Sequence, residues 1–339
     1  MARSELTVDL GALRRNARTL LTALDGAELW AVVKADGYGH GAVAVAGAAL
    51  GAGATALCVA TVPEALALRA ALGTVRILVL GPASNREIAQ ARDAGLELTV
   101  ADGEIPEGVR VHLKLDTGMG RWGLAELPAP TREVVGVMSH FASADADAAF
   151  TEEQVRRFRE ATEPVAHLTR HIANSAGALR YPSARFDSAR CGIALYGLSP
   201  FGVDPADDGL EPVLRWESEL AQVKLLAAGE STGYGRRFVA ERETWVGIVP
   251  VGYADGFRRD LTGTEIRVAG ERRRVVGTIS MDALAVELDR RLPPGTPVTL
   301  LGHGIYAEEH ARVAGTINYE IVTGIRSSPE RARRSVVDA

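Results

Sequence analysis

The chain has 339 residues, enough for two domains, and its 47% hydrophobic and 24% charged content is that of an ordinary globular protein. A formal net charge of −5 excludes the bulk positive field that nucleic-acid binding requires. The two cysteines, Cys58 and Cys191, sit in separate apolar segments without paired spacing and read as reduced core thiols in a reducing, cytoplasmic compartment. The opening MARSELTVDL shows no apolar signal region.

In chain order, a helix is expected over 10–23, capped by Asp9, followed by a strand over 28–34 (LWAVVKA). Residues 41–62 carry no charge and are long enough to span a bilayer, but Gly47, Gly51 and Gly53 interrupt them. They read instead as a helix, a glycine break and a buried strand over 56–62, so no membrane partner is expected. Pro63 suits the first turn of a helix over 63–72. Strands follow over 76–81, 96–101, 109–116 and 134–141, with a helix over 84–94 capped by Ser84. Thr151 offers a cap for a helix over 151–162, and the last two strands of this half are read over 167–174 and 185–196.

Eight apolar strands alternating with helices argue an α/β fold, a parallel (β/α)8 TIM-type barrel over residues 1–208. The links after the fifth and seventh strands look too short for full helices. Residues 198–212 (LSPFGVDPADDGLEP) read as a linker, and 209–339 as a separate, mostly antiparallel β domain, because short β-branched runs there are separated by Gly and Pro.

In such a barrel the chemistry sits at the carboxyl ends of the strands. Polar residues fall at those ends repeatedly. Lys34 closes the first strand in AVVKADGYGHG, and Arg121 follows the fifth in KLDTGMGRWG. His140 closes the sixth, Asn174 and Ser175 the seventh, and Arg190 and Gly192 lie on the eighth. Singly, His140 could be a core histidine bonded to a carbonyl, Arg190 a salt-bridge partner and Ser175 a helix N-cap. Together they converge on one rim.

AVVKADGYGHG resembles the cofactor-lysine motif of alanine racemases, which are built on pyridoxal 5'-phosphate. KLDTGMGRWG, SHFASAD, ANSAGALRYP, ARCGIALYGL, TGYG, VPVGYADGF, ISMD and INYE match segments of that family in order, over nearly the whole chain. The resemblance implies a barrel with a C-terminal β domain, a head-to-tail homodimer, interconversion of L- and D-alanine, and a role in supplying D-alanine for peptidoglycan. Lys34 would be the cofactor lysine, whose amine must be neutral to react. Tyr38, Ser175, Gly192, Ile193 and Tyr319 match phosphate-binding positions, and Asn174 falls in the same cofactor-binding set.

Arg190 matches the arginine facing the pyridine nitrogen, and His140 the residue that holds it. A guanidinium is not a realistic proton donor, so that nitrogen stays unprotonated and the ring is a weaker electron sink. Tyr234, in STGYG, matches a second catalytic base on the opposite face from Lys34. A free phenol is protonated at neutral pH, so this base needs nearby positive charge. In the family this tyrosine and the residue matching Met281 come from the other subunit. Arg121 matches a group that reaches the substrate carboxylate. Tyr253 and Arg331 match a layer lining the access channel, where simple packing is the competing reading. Lys114 points into the barrel, where a bare ammonium is costly. The family often carries a CO2-derived carbamate (N6-carboxylysine) there, and an unmodified Lys114 paired with Asp116 or another acid is the alternative. No metal is implied.

The sequence also departs from the family. Only 18 residues separate Arg121 from His140, and they include Pro128 and Pro130, so a barrel helix should be shortened or missing there. Ser280 replaces a frequent cysteine, and RSSPER departs from the usual pattern near Arg331. Other readings remain: a broader serine/alanine racemase, a decarboxylase of the same fold, and a non-catalytic single-domain barrel that binds the cofactor. Decarboxylases place an acid on the pyridine nitrogen, where this chain offers Arg190. The single-domain barrels lack a second domain carrying Tyr234.

Overall fold

The computed structural model describes residues 3–339, which divide into two units: Ala12–Glu211, and Pro212–Ala339 together with the described residues up to Gly11. The chain's first strand, β1 (Glu5–Asp9), belongs to the second of these.

Eight parallel strands form the centre of the Ala12–Glu211 unit. They are β2 (Glu28–Val32), β3 (Ala56–Val59), β4 (Ile77–Val79), β5 (Glu97–Val100), β6 (Arg110–Lys114), β7 (Val134–Met138), β8 (Thr169–His171) and β9 (Ser188–Cys191). Their spatial order is β9-β2-β3-β4-β5-β6-β7-β8. The two ends of that order nearly meet: Asp187 N donates to Arg170 O at 3.1 Å and Arg190 N to Ala173 O at 2.9 Å. The sheet is thus an almost closed barrel. Residues of β3, β4, β5 and β9 are buried throughout, as expected of strands covered on both faces.

The helices start where their caps direct. Thr61 and Glu64 form a capping box for Val62–Leu72, with Pro63 in its first turn, and Ser84 and Glu87 do the same for Asn85–Asp93. The expected cap at Thr151 is corrected: the helix runs over Ala148–Thr162 and Asp147 caps it. Thr151 lies inside the helix and donates its hydroxyl back to Asp147 O at 2.7 Å. Residues 41–62 form the helix Ala42–Gly51, a break and β3, and no helix among the described residues is long and apolar enough to cross a membrane.

No helix lies between β6 and β7, in keeping with the proline-bearing segment, and the helix after β8 is only Ser175–Arg180. Between β6 and β7 the chain folds around the Asp116 carboxylate, which accepts from Gly118 N, Met119 N and Gly120 N. Cys58 and Cys191 are free, buried thiols, each pushed up to about 12 by burial.

The second unit is built on a nine-stranded sheet. Its strands pair antiparallel except at one place, where β1 lies parallel to Arg333–Val337 while pairing antiparallel with Leu214–Glu219 on its other side. Leu6 and Val8 of β1 are fully buried in this unit. Two short helices, Ala307–Ala314 and Asn318–Thr323, complete it.

Candidate active site

Immediately after β2 the backbone enters a left-handed turn. Ala35, Asp36, Gly37 and Tyr38 all have φ between 52° and 62°. For a residue with a Cβ this conformation costs roughly 1–2 kcal/mol, so three non-glycine residues within four positions need support. They have it. Ala35 N donates to Glu64 Oε1 at 2.7 Å and Ala42 N to Asp36 Oδ1 at 2.9 Å. Gly37 N, Gly39 N and Gly41 N donate to Val33 O, Ala35 O and Asp36 O at 2.8–3.0 Å. A Cβ on Gly37 would come within 3.2 Å of the Ala42 backbone. The turn places Lys34 at the strand end and returns Tyr38 to the barrel, where its ring packs on Tyr196 at 4.8 Å. Tyr196 Oη in turn donates to Val32 O at 3.0 Å.

Lys34 makes no hydrogen bond or ion pair among the described residues. Burial lowers its pKa first, and the positive charges of Arg121 and Arg190 lower it further against the pull of Glu64. The turn therefore delivers an amine biased towards its neutral, nucleophilic form.

Gly192 follows β9. A Cβ there would lie 2.4 Å from Tyr38 Oη, so only glycine lets that phenol reach the strand end. Ser175 Oγ accepts from Gly192 N at 3.1 Å and from Ala194 N at 3.3 Å, and Ile193 opens a short 3-10 turn. The reading of Ser175 as the cap of its helix is corrected. Asn174 caps it, accepting from Gly177 N at 2.9 Å, because the carboxamide reaches forward while the serine hydroxyl is turned to β9.

Arg190 is almost wholly buried and is held by acceptors. Nη1 donates to His171 Nδ1 at 2.5 Å and His171 O at 3.0 Å, and Nη2 to Ser139 O at 2.7 Å and His140 Nδ1 at 3.2 Å. Burial lowers its pKa to about 10, still cationic at neutral pH. Burial, then the charges of Arg190, Lys114, Arg121 and Lys34, push His140 well below the usual imidazole range, so it is a neutral acceptor. Gln154, buried behind it, donates to His140 O and Thr117 Oγ1, both at 3.1 Å.

Lys114 is buried at the end of β6, and burial, followed by the charges of Arg121 and Arg190, lowers its pKa to about 8. It makes no ion pair among the described residues. Its Nζ lies 5.6 Å from the Trp122 ring centre, and the Arg121 guanidinium lies 5.3 Å from the same ring. Asp116, the acid expected to pair with an unmodified lysine, is instead occupied by three backbone N–H groups, so the simple pairing is not what the structure contains. Lys114, Arg121 and Arg190 thus gather positive charge around the Lys34 amine, which suits an anionic ligand.

The remaining expected residues lie on the second unit. Tyr234 opens a tight turn held by Gly233 and Gly235, both with positive φ, and its carbonyl accepts from Thr278 Oγ1 at 2.8 Å. Its side chain is 72% exposed, Met281 is 52% and Tyr253 is 42% exposed. Gly252, before Tyr253, is packed so closely that a Cβ would sit 2.2 Å from Ser280 O. Arg331 pairs with Asp282 at 2.6 Å and Asp255 at 3.4 Å. Tyr319 lies in the helix Asn318–Thr323, and its carbonyl accepts from Thr323 Oγ1 at 2.7 Å.

Sequence reasoning missed His171, His112, Glu97, Gln154 and Glu64. For Glu97, His112 and His171 the available signal was a titratable side chain inside a strand of the barrel, where such residues are rarely buried unless paired, whereas Gln154 and Glu64 sit on helices and nothing in their spacing marked them.

A (β/α)8 barrel with a poised lysine amine and a cluster of arginines at the carboxyl ends of its strands is the arrangement of a barrel enzyme. The chain belongs to the alanine racemase family: residues 8–200 match the alanine racemase N-terminal domain and residues 213–333 the C-terminal domain. It is 40% identical to alanine racemase 1 of Bacillus subtilis over 96% of this chain and 91% of that protein. To an alanine racemase of Beutenbergia cavernae it is 44% identical, covering 93% and 94%. Among solved structures, the alanine racemase of Streptomyces coelicolor superposes with a TM-score of 0.91 at 39% identity, covering 99% of this chain and 98% of that one. The alanine racemase of Bacillus anthracis with bound L-Ala-P gives 0.87 at 34% identity, covering 99% and 95%. The protein is an alanine racemase, an isomerase that interconverts L- and D-alanine.

Proposed function

We propose that racemisation runs with pyridoxal 5'-phosphate held at the barrel's strand ends, and with two bases, Lys34 and Tyr234, drawn from different subunits of a head-to-tail homodimer. The observation that carries this reading is the Lys34 amine, partnerless among the described residues and biased neutral by burial and two arginines. The surrounding residues fit the cofactor. The left-handed turn and Gly192 leave Tyr38 Oη at the strand end, Ser175 Oγ also lies against Gly192, and the clustered positive charge suits a phosphate. Tyr38, Asn174, Ser175, Gly192, Ile193 and Tyr319 would hold it, with Arg190, steadied by His140, towards the pyridine nitrogen. When bound, the cofactor supplies the electron sink that acidifies the α-proton of an amino acid.

The chain's own groups do the rest. Lys34 Nζ takes or returns the α-proton on one face, and Tyr234 Oη serves the other, so the configuration inverts when one removes and the other replaces it. Arg121 binds the substrate carboxylate, Met281 contributes to substrate binding from the partner subunit, and Tyr253 and Arg331 border the access path. The exposure of Tyr234, Met281 and Tyr253 supports a partner subunit over that face. The Bacillus anthracis relative, solved with L-Ala-P, supports an alanine-sized amino-acid ligand. The D-alanine formed would supply peptidoglycan synthesis in the cytoplasm.

Borohydride treatment of the holoenzyme, followed by peptide mapping, tests the lysine assignment. The cofactor should be fixed on the peptide containing Lys34, and fixation on any other lysine contradicts it.

Lys114 is proposed to carry a carbamate. Carbamylation needs a neutral amine, and a pKa of about 8 leaves an appreciable neutral fraction at physiological pH. The modified group would be an anion beside Arg121. Crystals grown at neutral pH in bicarbonate are expected to show a planar extension at Nζ contacting Arg121, and a bare amine at full occupancy refutes the modification.

A further inference from the structure

Behind Arg190 a row of buried side chains crosses the barrel. His171 Nε2 meets His112 Nδ1 at 2.9 Å, and His112 Nε2 meets Glu97 Oε2 at 2.9 Å. Both imidazoles are fully buried and Glu97 is 2% exposed. Arg76 Nε donates to both Glu97 oxygens, at 2.9 and 3.1 Å, and Arg110 donates to Oε1. Neighbouring strands carry the members: Glu97 on β5, His112 on β6, His171 on β8 and Arg190 on β9. On β7, which lies between β6 and β8, Gly136 faces His112, and a Cβ at that glycine would lie 2.2 Å from His112 Nδ1. Any side chain at 136 would close the passage through which the two imidazoles touch.

The donors in this row can be assigned without ambiguity. A guanidinium only donates, so His171 Nδ1 must accept. A neutral His171 then carries its proton on Nε2 and gives it to His112 Nδ1. His112 in turn carries its proton on Nε2 and gives it to an ionised Glu97. Every bond points from Arg190 to Glu97.

We infer that Glu97 and His112 are positioning residues for racemisation: they fix the tautomer of His171 and, through it, the placement of the Arg190 guanidinium at the site. Burial pushes both imidazoles towards the neutral form the assignment needs. Burial alone would raise the Glu97 carboxyl, but its bonds to His112 and Arg76 outweigh that and hold it down at about 2. The alternative, in which either histidine carries its proton on Nδ1, would set two N–H groups head to head. The functional part rests on Arg190 belonging to the racemisation site, whereas the tautomer assignment does not.

Nitrogen-15 NMR of histidine-labelled, full-length protein, with and without cofactor, reads the row directly. The wild-type protein should show His112 and His171 both neutral and both protonated on Nε2. An imidazolium or an Nδ1-protonated ring at either position overturns the inference, whatever the fate of the cofactor assignment. His112→Leu removes both bonds, whereas His112→Gln can accept from His171 and donate to Glu97. His112→Leu should release His171 from its single tautomer and lower kcat roughly tenfold with KM nearly unchanged, and His112→Gln should recover most of both. A His112→Leu protein with unaltered kcat, or a His112→Gln protein as impaired as His112→Leu, assigns His112 to packing alone. If His112→Leu does not fold, Glu97→Leu takes its place, with Glu97→Gln, whose carboxamide oxygen still accepts from His112, as the conservative control and the same two readings.

Discussion

Lys34→Ala is expected to lower racemisation by about 10^4-fold while leaving the fold at least as stable as before. The two halves of this result have separate causes. Activity falls because the partnerless amine that would anchor the cofactor and move the proton on one face is gone, and no other lysine described at the strand ends can replace it, Lys114 being held by β6. Stability is retained because the amine makes no hydrogen bond or ion pair among the described residues, and because its charge is disfavoured by burial and by Arg121 and Arg190.

The sign of the pH dependence follows. A lysine whose pKa is lowered on folding binds fewer protons in the native state than in the unfolded one, between its lowered value and the ordinary 10.5. Native stability of the cofactor-free protein therefore rises with pH across that window, which for Lys114 begins at about 8. Lys34→Ala should flatten part of that rise. Urea midpoints of both proteins on either side of pH 8 check it. A variant markedly less stable than the wild type, or a wild type that loses stability as pH rises through the window, would show that Lys34 has a structural partner in solution.

The barrel was legible because its physics is local. Parallel strands buried on both faces print themselves as apolar runs, and capping chemistry at Ser84 or Pro63 lies within a turn of the helix it starts. Errors arose where two nearby residues offered the same chemistry: Asp147 and Thr151 can each cap a helix, and the one in an extended backbone took the position. A strand's extent is overread where a buried apolar turn follows it directly, as after β9, where Ile193–Tyr196 continues the apolar run but forms a 3-10 turn. What the sequence could not reveal is non-local. The membership of β1 in the second unit depends on pairing with Leu214–Glu219 and Arg333–Val337, more than two hundred residues away. The row from Glu97 to Arg190 depends on register: Thr99 and Gly136 stand opposite His112, and Met138 opposite His171, and nothing in the spacing of single residues announces it. Lys34, Tyr38 and Gly192, in contrast, were legible because their segments are short and chemically unusual.

Subunit complementation bears most directly on the claim that each site draws its two bases from two chains. Lys34→Ala and Tyr234→Phe homodimers should each be nearly inactive, since every site in either lacks one base. In a mixed dimer both lesions fall in one site and the other site is intact. Random exchange makes about half of all dimers mixed, each with one working site of two, so roughly a quarter of wild-type activity should return. Co-purification of an untagged mutant with a tagged one shows that exchange has taken place. Recovery of roughly a quarter of the activity is expected if the bases come from two chains; complete exchange with activity remaining near zero means that each site takes both bases from one chain.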